Sequence, residues 1–343
     1  MRRRVRRMRA STADRVGLAW RDEMAAAIHL NLDAIEHVEV IAEREFRAPR
    51  SRIAALAELA RVVPLSLHGV GLGLASSAPP DERRLARLAR LIEQVAPDHW
   101  SEHLAFVRAG GFEIGHLAAA PYNSATLAGT FANLERARQV IGSLPHLENI
   151  ATLLQPPGSC WSEVEFVGHV MRGSGCPLLL DLHNLHANAW NFRRDPFADL
   201  LALPLQRVAT VHVSGGRLEC DRAGVARLVD DHLHDPPDIV FELLAALAAA
   251  VPQHLTVIIE RDGRYPDFTR IMEQMERARA ALKQGRSRAV ERLCGAAPQG
   301  TAPGPTQRPT PRPTQRPTPP AVWKDDQDTQ LAHGPTAAGA RPA

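Results

Sequence analysis

Long apolar runs, paired cysteines and a strong charge of either sign are all missing from this chain, and each absence excludes a class of function. No stretch approaches the roughly 18 apolar residues that cross a bilayer, so no transmembrane helix is predicted. The arginine-rich start, Met1 to Arg9, is not followed by the apolar segment that a secretory or twin-arginine signal requires. A soluble, cytoplasmic protein without a membrane partner is the expectation. The four cysteines (Cys160, Cys176, Cys220, Cys294) are widely spaced with no C-x-x-C pair. That suits a reducing compartment and excludes a zinc ribbon. Net charge is +3 over 343 residues, much of it in the first nine residues and the tail. The near-neutral body offers no track for nucleic acid. A glycine-rich nucleotide loop is absent too: Gly69-Val-Gly-Leu-Gly73 lacks the G-x-G-x-x-G spacing and carries no lysine.

What is present is an ordinary core and a clear alternation. Apolar residues make up 45% of the chain and charged residues 23%, enough for a large buried core. Residues 1–12 read as a basic, disordered start. Residues 286–343 read as a disordered Pro/Thr-rich tail, in which Gln307 to Thr318 nearly repeats itself and too little apolar surface is available to offset chain entropy. Between them, 13–285 alternates short apolar strands with amphipathic helices. Examples are a helix from Asp81 to about Val95, one over 124–142 with Ser124 as its N-cap, and a closing helix over about 266–283. Roughly eight such units predict an α/β chain folded as a (β/α)8 TIM barrel.

Five apolar runs end on histidine or a carboxylate: Leu65–His68, His99–His103, Leu178–Asp181, Ala209–His212 and Leu255–Glu260. In an α/β barrel the C-terminal strand tips open into one bowl, so these side chains should converge. An acid such as Asp181, at the end of Leu178-Leu-Leu, is costly there unless its charge is compensated. Asn184 is the next ligand candidate and His183 is ambiguous between roles. Glu148 suits a carboxylate bridging metals, with Asn149 supporting it. Asp230 and His232 offer a carboxylate and an imidazole from a single turn. Glu102 should face away from the barrel interior by strand alternation. These ligands outnumber what one ion uses, and oxygen mixed with imidazole suits iron, manganese or zinc, so two or three ions are expected. No cysteine lies among them, which argues against iron–sulfur and thiolate-zinc sites.

The stretches Val38-Glu-Val-Ile-Ala-Glu43, His68-Gly-Val-Gly-Leu72, Ser101-Glu-His-Leu104, Pro121-Tyr122, Glu148-Asn149, Leu178 to Asn184, His212 to Gly216, Asp230 to His234 and Glu260 to Gly263 run in order across about residues 15–283. In that combination they resemble the multinuclear non-heme iron-dependent oxidative enzymes, the group that includes the methanobactin-biosynthesis B-type protein. The resemblance implies a barrel of the xylose isomerase-like type holding two or three irons in mixed Fe(II)/Fe(III) states, with O₂ as co-substrate. It implies oxidation of cysteine, or of another residue, in a ribosomally made precursor peptide, often with a small leader-binding partner protein. Carried over by motif, the metal ligands are His68, His103, Glu148, Asp181, Asn184, His212, Asp230, His232 and Glu260, with His234 and His183 as catalytic or supporting groups. Where family members often carry Glu-Asn-Tyr, this chain has Glu43-Arg-Glu45.

Two other functions fit the same ligands. A metal-dependent hydrolase or isomerase, endonuclease IV-like or sugar isomerase-like, would use the same barrel. The former wants a basic rim and the latter a lysine near the metals, whereas the body's lysine, Lys283, lies in the closing helix. A non-catalytic metal-binding partner is the third.

Overall fold

The structure, a computed structural model, describes residues 13–109, 112–220 and 224–295. The basic start and all of the Pro/Thr-rich tail beyond Gly295 lie outside the described residues.

Eight parallel strands close into a barrel. In chain order they are Arg15–Ala19, Val38–Ile41, Leu65–Gly69, His99–His103, His146–Glu148, Leu178–Asp181, Val208–Val213 and Thr256–Ile259. The first strand closes the ring against the eighth, with Arg15 opposite Thr256. Helices cover the outside, as the alternation of apolar runs and amphipathic segments requires. The helix Glu82–Val95 shows the local logic. Asp81 accepts hydrogen bonds from the amides of Arg83 and Arg84, and Leu85, Leu88, Leu91 and Val95 bury one face. Among the described residues no helix is long and apolar enough to cross a membrane.

Three expectations change. The N-cap of the helix Ser124–Ile141 is Asn123 rather than Ser124, because Asn123 holds the extended backbone and its side chain accepts the Thr126 amide. Two hairpins, Phe106–Ala109 with Phe112–Ala118 and Gly216–Cys220 with Ala226–Asp230, rise from the C-terminal rim, and the second ends on Asp230, which the sequence placed in a turn. The closing helix spans Phe268–Gly295, past the 283 end and the 285 tail boundary read from the sequence.

The extension has a physical cause. Gly285 lets the closing helix approach the helix Asp238–Ala250, since a Cβ there would stand 2.3 Å from the Ala245 carbonyl oxygen. One position on, Arg286 donates to both Asp14 oxygens (2.7 and 3.0 Å) and to the carbonyls of Ala248, Val251 and Gln253. It thereby ties the end of the chain's body to its first strand. Arg286→Leu is expected to cost about 1–3 kcal/mol, the value of lost charge-assisted hydrogen bonds. Denaturant midpoints check this, and an unchanged midpoint rejects the anchor.

The lower half of the barrel interior is polar. His37, Ser66, His99, His146 and Thr210 occupy it beneath the rim. The His99 and His146 rings stack at 4.0 Å. Glu39 lies above this floor, accepting from the Ser66 hydroxyl at 3.2 Å.

Candidate metal centre

Strand register brings the charged tips to one level. His68 stands opposite Ser101, His103 opposite Glu148, and Asp181 opposite His212, while the Glu260 amide donates to the Val213 carbonyl beside them. Three overlapping groups result: His68, His103 and Glu148; Glu148, Asp181, His212 and Glu260; and His232, Glu260 and Asp262. Within each group one ligand atom per residue lies within 4.8 Å of the others. Two ligands bound about 2.1 Å from one ion stand about 3–4 Å apart, which is the spacing found here.

Glu148 joins the first two groups through separate oxygens. Its Oε2 is 3.5 Å from His68 Nε2 and 3.4 Å from His103 Nε2, and its Oε1 is 3.1 Å from His212 Nδ1. Glu260 joins the last two, with Oε2 3.0 Å from His212 Nδ1 and 3.5 Å from His232 Nδ1. Asp230 Oδ1 lies 2.8 Å from His232 Nε2. Asn184 donates to the Asn149 carbonyl and leaves its buried Oδ1 without a partner. Glu148 Oε2 is likewise buried without a hydrogen bond. Buried polar atoms are normally satisfied, so orphaned atoms aimed at shared points fit cations that would complete them.

The supporting residues set ring orientation. Ser101 Oγ is 2.8 Å from His68 Nδ1, which turns His68 Nε2 inward. Asn149 brackets the Asp181 backbone, accepting from its amide and donating to its carbonyl. It thus supports Asp181, not Glu148 as the sequence suggested. Asp181 also caps the helix Leu182–Asn191, accepting the Asn184 amide at 2.6 Å and the Ser214 hydroxyl at 3.1 Å. Glu102 is buried and not a ligand, holding the Leu72 and His103 amides. Glu43 caps the same loop, accepting the amides of Val70 and Gly71.

Two expected catalytic groups are placed elsewhere. His183 is buried beneath the second hairpin, where a Cβ on Gly216 would stand 2.5 Å from its ring, and its Nδ1 is 3.0 Å from Asp230 Oδ1. It props Asp230 and does not face the cleft. His234 engages Asp231 through Nδ1 at 3.0 Å and Arg264 through Nε2 at 3.3 Å, and joins none of the three groups. The cause is the backbone. Asp230 ends a hairpin strand instead of lying in a turn, and His232 follows with φ of 53°. That left-handed conformation is held by bonds from the His232 amide to Gly215 and from the Asp262 amide to the His232 carbonyl.

Three residues were not singled out from the sequence. Asp262 faces His232 Nδ1 at 3.5 Å. Arg21, fully buried at the end of the first strand, binds both Asp262 and Glu260. Glu39 Oε1 is 2.8 Å from His212 Nε2, so the other ring nitrogen is left for the centre. A charged residue inside an apolar strand was the available signal for Glu39.

Protein charges alone balance this site in pairs. Burial disfavours charged His103, but Glu148 and Glu102 push it up to about 9. Burial likewise opposes protonation of His212 and His232, and the surrounding carboxylates raise both well above the usual range. Burial, then the neighbouring Asp230, lifts Asp181 to about 6. Burial alone would raise Asp230 and Glu39, yet His232 holds the former, and His212 the latter, down to about 2. Cations binding here displace protons from these imidazoles, so metal affinity should rise with pH.

The carboxylate behind His212 supports a prediction. Glu39→Gln keeps shape but removes the charge that fixes the ring, and is expected to weaken metal binding about 10–100-fold. Chelator competition measures it, and unchanged affinity removes Glu39 from the centre.

Above the ligands opens a cleft of about 850 Å³, with His103, Asn184, Asp230 and His232 on its floor. Phe106, Leu117, Ile150, Leu153 and Leu228 make its walls largely apolar.

A closed parallel barrel with imidazoles and carboxylates ringing its C-terminal mouth defines a TIM-barrel enzyme scaffold with a candidate multinuclear metal centre. The model of the family described as RiPP precursor modification enzyme MbnB/TglH/ChrH matches residues 15–283, and the chain belongs to that family. It is the family that the sequence motifs resemble. A UPF0276 protein of Streptomyces avermitilis is 35% identical over 282 residues, covering 80% of this chain, which spans only 56% of that relative's length. A UPF0276 protein of Bordetella bronchiseptica is 32% identical over 272 residues, covering 79% of this chain and 93% of its own. Among solved structures, an L-ribulose 3-epimerase superposes with a TM-score of 0.55 at 12% identity, over 84% of this chain and all of the other. A xylose isomerase domain protein from Planctomyces limnophilus gives 0.51 at 14% identity, over 81% and 99%. These two likenesses concern the fold alone and agree with the xylose isomerase-like barrel.

Proposed function

We propose that this chain is an iron-dependent, dioxygen-using oxidase that modifies cysteine, or another residue, in a ribosomally made precursor peptide, in the cytoplasm. The observation that carries the reading is Glu148, whose two oxygens face different ligand groups beneath an apolar cleft. The family supplies the peptide as substrate class. A small leader-presenting partner protein belongs to the same proposal.

His68, His103 and Glu148 would hold one iron. Glu148, Asp181, His212 and Glu260 would hold a second, and His232, Glu260 and Asp262, flanked by Asp230, a third. Iron, when bound, supplies the one-electron chemistry by which dioxygen oxidises a thiol-bearing side chain. The protein's part is placement. The apolar walls around Phe106, Ile150 and Leu228 exclude water and take the peptide backbone's apolar neighbours. His103, Asn184, Asp230 and His232 reach the cleft floor, where the reacting side chain would arrive. His103 and His232 give up the protons that the carboxylates otherwise hold on them. Ser101 and Glu39 keep His68 and His212 turned to the centre.

The test is metal analysis and Mössbauer spectroscopy of anaerobically iron-loaded protein, with oxygen uptake in the presence of a cysteine-containing precursor encoded near its gene. Iron in two or three environments, oxygen consumption and a mass change in the peptide are the expected results. Purification with zinc alone, and no oxygen uptake at any iron load, would sink the oxidase. Turnover by zinc-loaded protein without oxygen would favour a hydrolase.

A further inference from the structure

A second cavity, about 540 Å³, opens on the other side of the first hairpin, between it and the helices that follow the second and third strands. Arg44 and Arg47 line it from the short helix Ala42–Glu45 and the turn after it, and Arg84 and Arg87 from the helix Glu82–Val95. Arg84 is committed: it pairs with Glu113 at 2.6 Å and donates to the Gly71 carbonyl at 2.8 Å. Among the described residues, no carboxylate oxygen lies within 4.0 Å of the Arg44, Arg47 or Arg87 guanidinium. The cavity's acids do not offset them. Glu113 is the partner of Arg84, and Glu43 is turned to the amides of Val70 and Gly71. Burial, then Glu102, also pushes the Glu43 carboxyl up to about 7, which weakens its negative charge further.

Three unpaired guanidiniums around one cavity, in a chain whose body is otherwise near neutral, call for an anionic occupant. Arginine's planar fork matches carboxylates and phosphates alike. The position says which occupant. His116 and Leu117, on the strand Phe112–Ala118, line both this cavity and the apolar cleft over the metal ligands. A chain lying in the cleft therefore needs to cross only that strand to reach the arginines.

We propose that this cavity seats an acidic stretch of the same peptide whose reacting residue lies in the cleft, with Arg44, Arg47 and Arg87 as specificity-determining contacts. The proposal rests on the reading of the cleft as a peptide site, and it adds the sequence character that the peptide must have.

Fluorescein-labelled synthetic peptides test it on the full, iron-loaded chain. Each carries one cysteine separated by a short Gly/Ser spacer from either three glutamates or three glutamines, in both orders, and binding is read by anisotropy. In at least one order the glutamate peptide should bind about tenfold or more tighter than its glutamine twin at low salt. That preference should collapse near 0.5 M salt, where the screening length is only a few ångströms, roughly 4 Å. It should also vanish in Arg47→Glu/Arg87→Glu, whose iron content should equal that of wild type. If charge reversal impairs folding, Arg44→Gln/Arg87→Gln gives the same readout. Equal affinities of the twins, no binding by either, or a preference that survives both variants would overturn the proposal. Oxygen uptake on the same samples separates the two claims. A glutamate preference without oxidation strikes the oxidase and leaves the acidic-peptide cavity. Oxidation without the preference does the reverse.

Discussion

Glu148→Gln should lower the metal content of the purified chain by at least one ion, that of the group with His68 and His103, and abolish oxidation of the peptide. The substitution keeps the side chain's size and a carbonyl oxygen, so the barrel has no cavity to collapse into. What it removes is the one group whose two oxygens serve different ligand groups, Oε2 toward His68 and His103 and Oε1 toward His212. Losing it leaves the first group with two imidazoles and no carboxylate. The second keeps Asp181, His212 and Glu260. Removal of a residue that merely supports a ligand costs about 10–100-fold in affinity or activity, so losing a shared ligand should exceed 100-fold. Elemental analysis after anaerobic reconstitution gives the count, and single-turnover oxygen uptake gives the activity. A variant that retains every ion removes Glu148 from the bridge. The comparison with Glu39→Gln sharpens the result, since that change should weaken binding without altering the number of sites.

The barrel and most of this ring were legible in the sequence because burial leaves a plain trace. Leu178-Leu-Leu-Asp181 has no face free for water, so it reads as an inner strand, and its terminal acid reads as compensated charge. What stayed hidden was hidden for physical reasons. Glu39 sits between Val38 and Val40 and looks like the outward residue of an alternating strand, but barrel strands are buried on both faces and it points inward. Arg21 and Asp262 lie just beyond strand ends, where single charged residues are ordinary. The first hairpin is mostly exposed and lacks the apolar alternation that marks a strand. His234 shows the opposite error. The family motif carried it along with Asp230 and His232, but the left-handed backbone at His232 turns it away to Asp231 and Arg264. Local pattern cannot see a backbone conformation imposed by Gly215 and Asp262 from neighbouring segments.

The histidine floor works against stability in mild acid. His37, His99 and His146 lie beneath the centre, and burial disfavours the charged form of each. Burial, reinforced by neighbouring imidazole charge, lowers His37 to about 3 and depresses His146 well below the ordinary range. Burial lowers His99 to about 4 against the opposing pull of Glu39. In the unfolded chain all three titrate near 6.5. Below that pH the unfolded state therefore binds protons that the folded state refuses, and the balance shifts toward unfolding as pH falls. The stabilisation from keeping these rings neutral is complete above about pH 6.5 and drains away down to the folded values, about 4 for His99 and about 3 for His37. Each refused proton contributes about 1.4 kcal/mol per pH unit, so the three together give a slope of about 4 kcal/mol per unit. Glu43 and Glu163, pushed up to about 7 by burial, and Asp181, lifted to about 6, take up protons in the folded state over much of the same range and oppose that slope. Other titrating groups, those of the metal centre included, act over the same range, so the measurement is comparative. His99→Asn, at the partly open lower end of the barrel, should flatten the slope between pH 6.5 and 4.5 by about 1.4 kcal/mol per unit relative to wild type. Both proteins are unfolded in denaturant after chelator treatment, which holds the metal contribution equal. Parallel slopes would mean that His99 takes up its proton inside the folded barrel. The stacked pair with His146 would then be a charged element of the floor, not a neutral one.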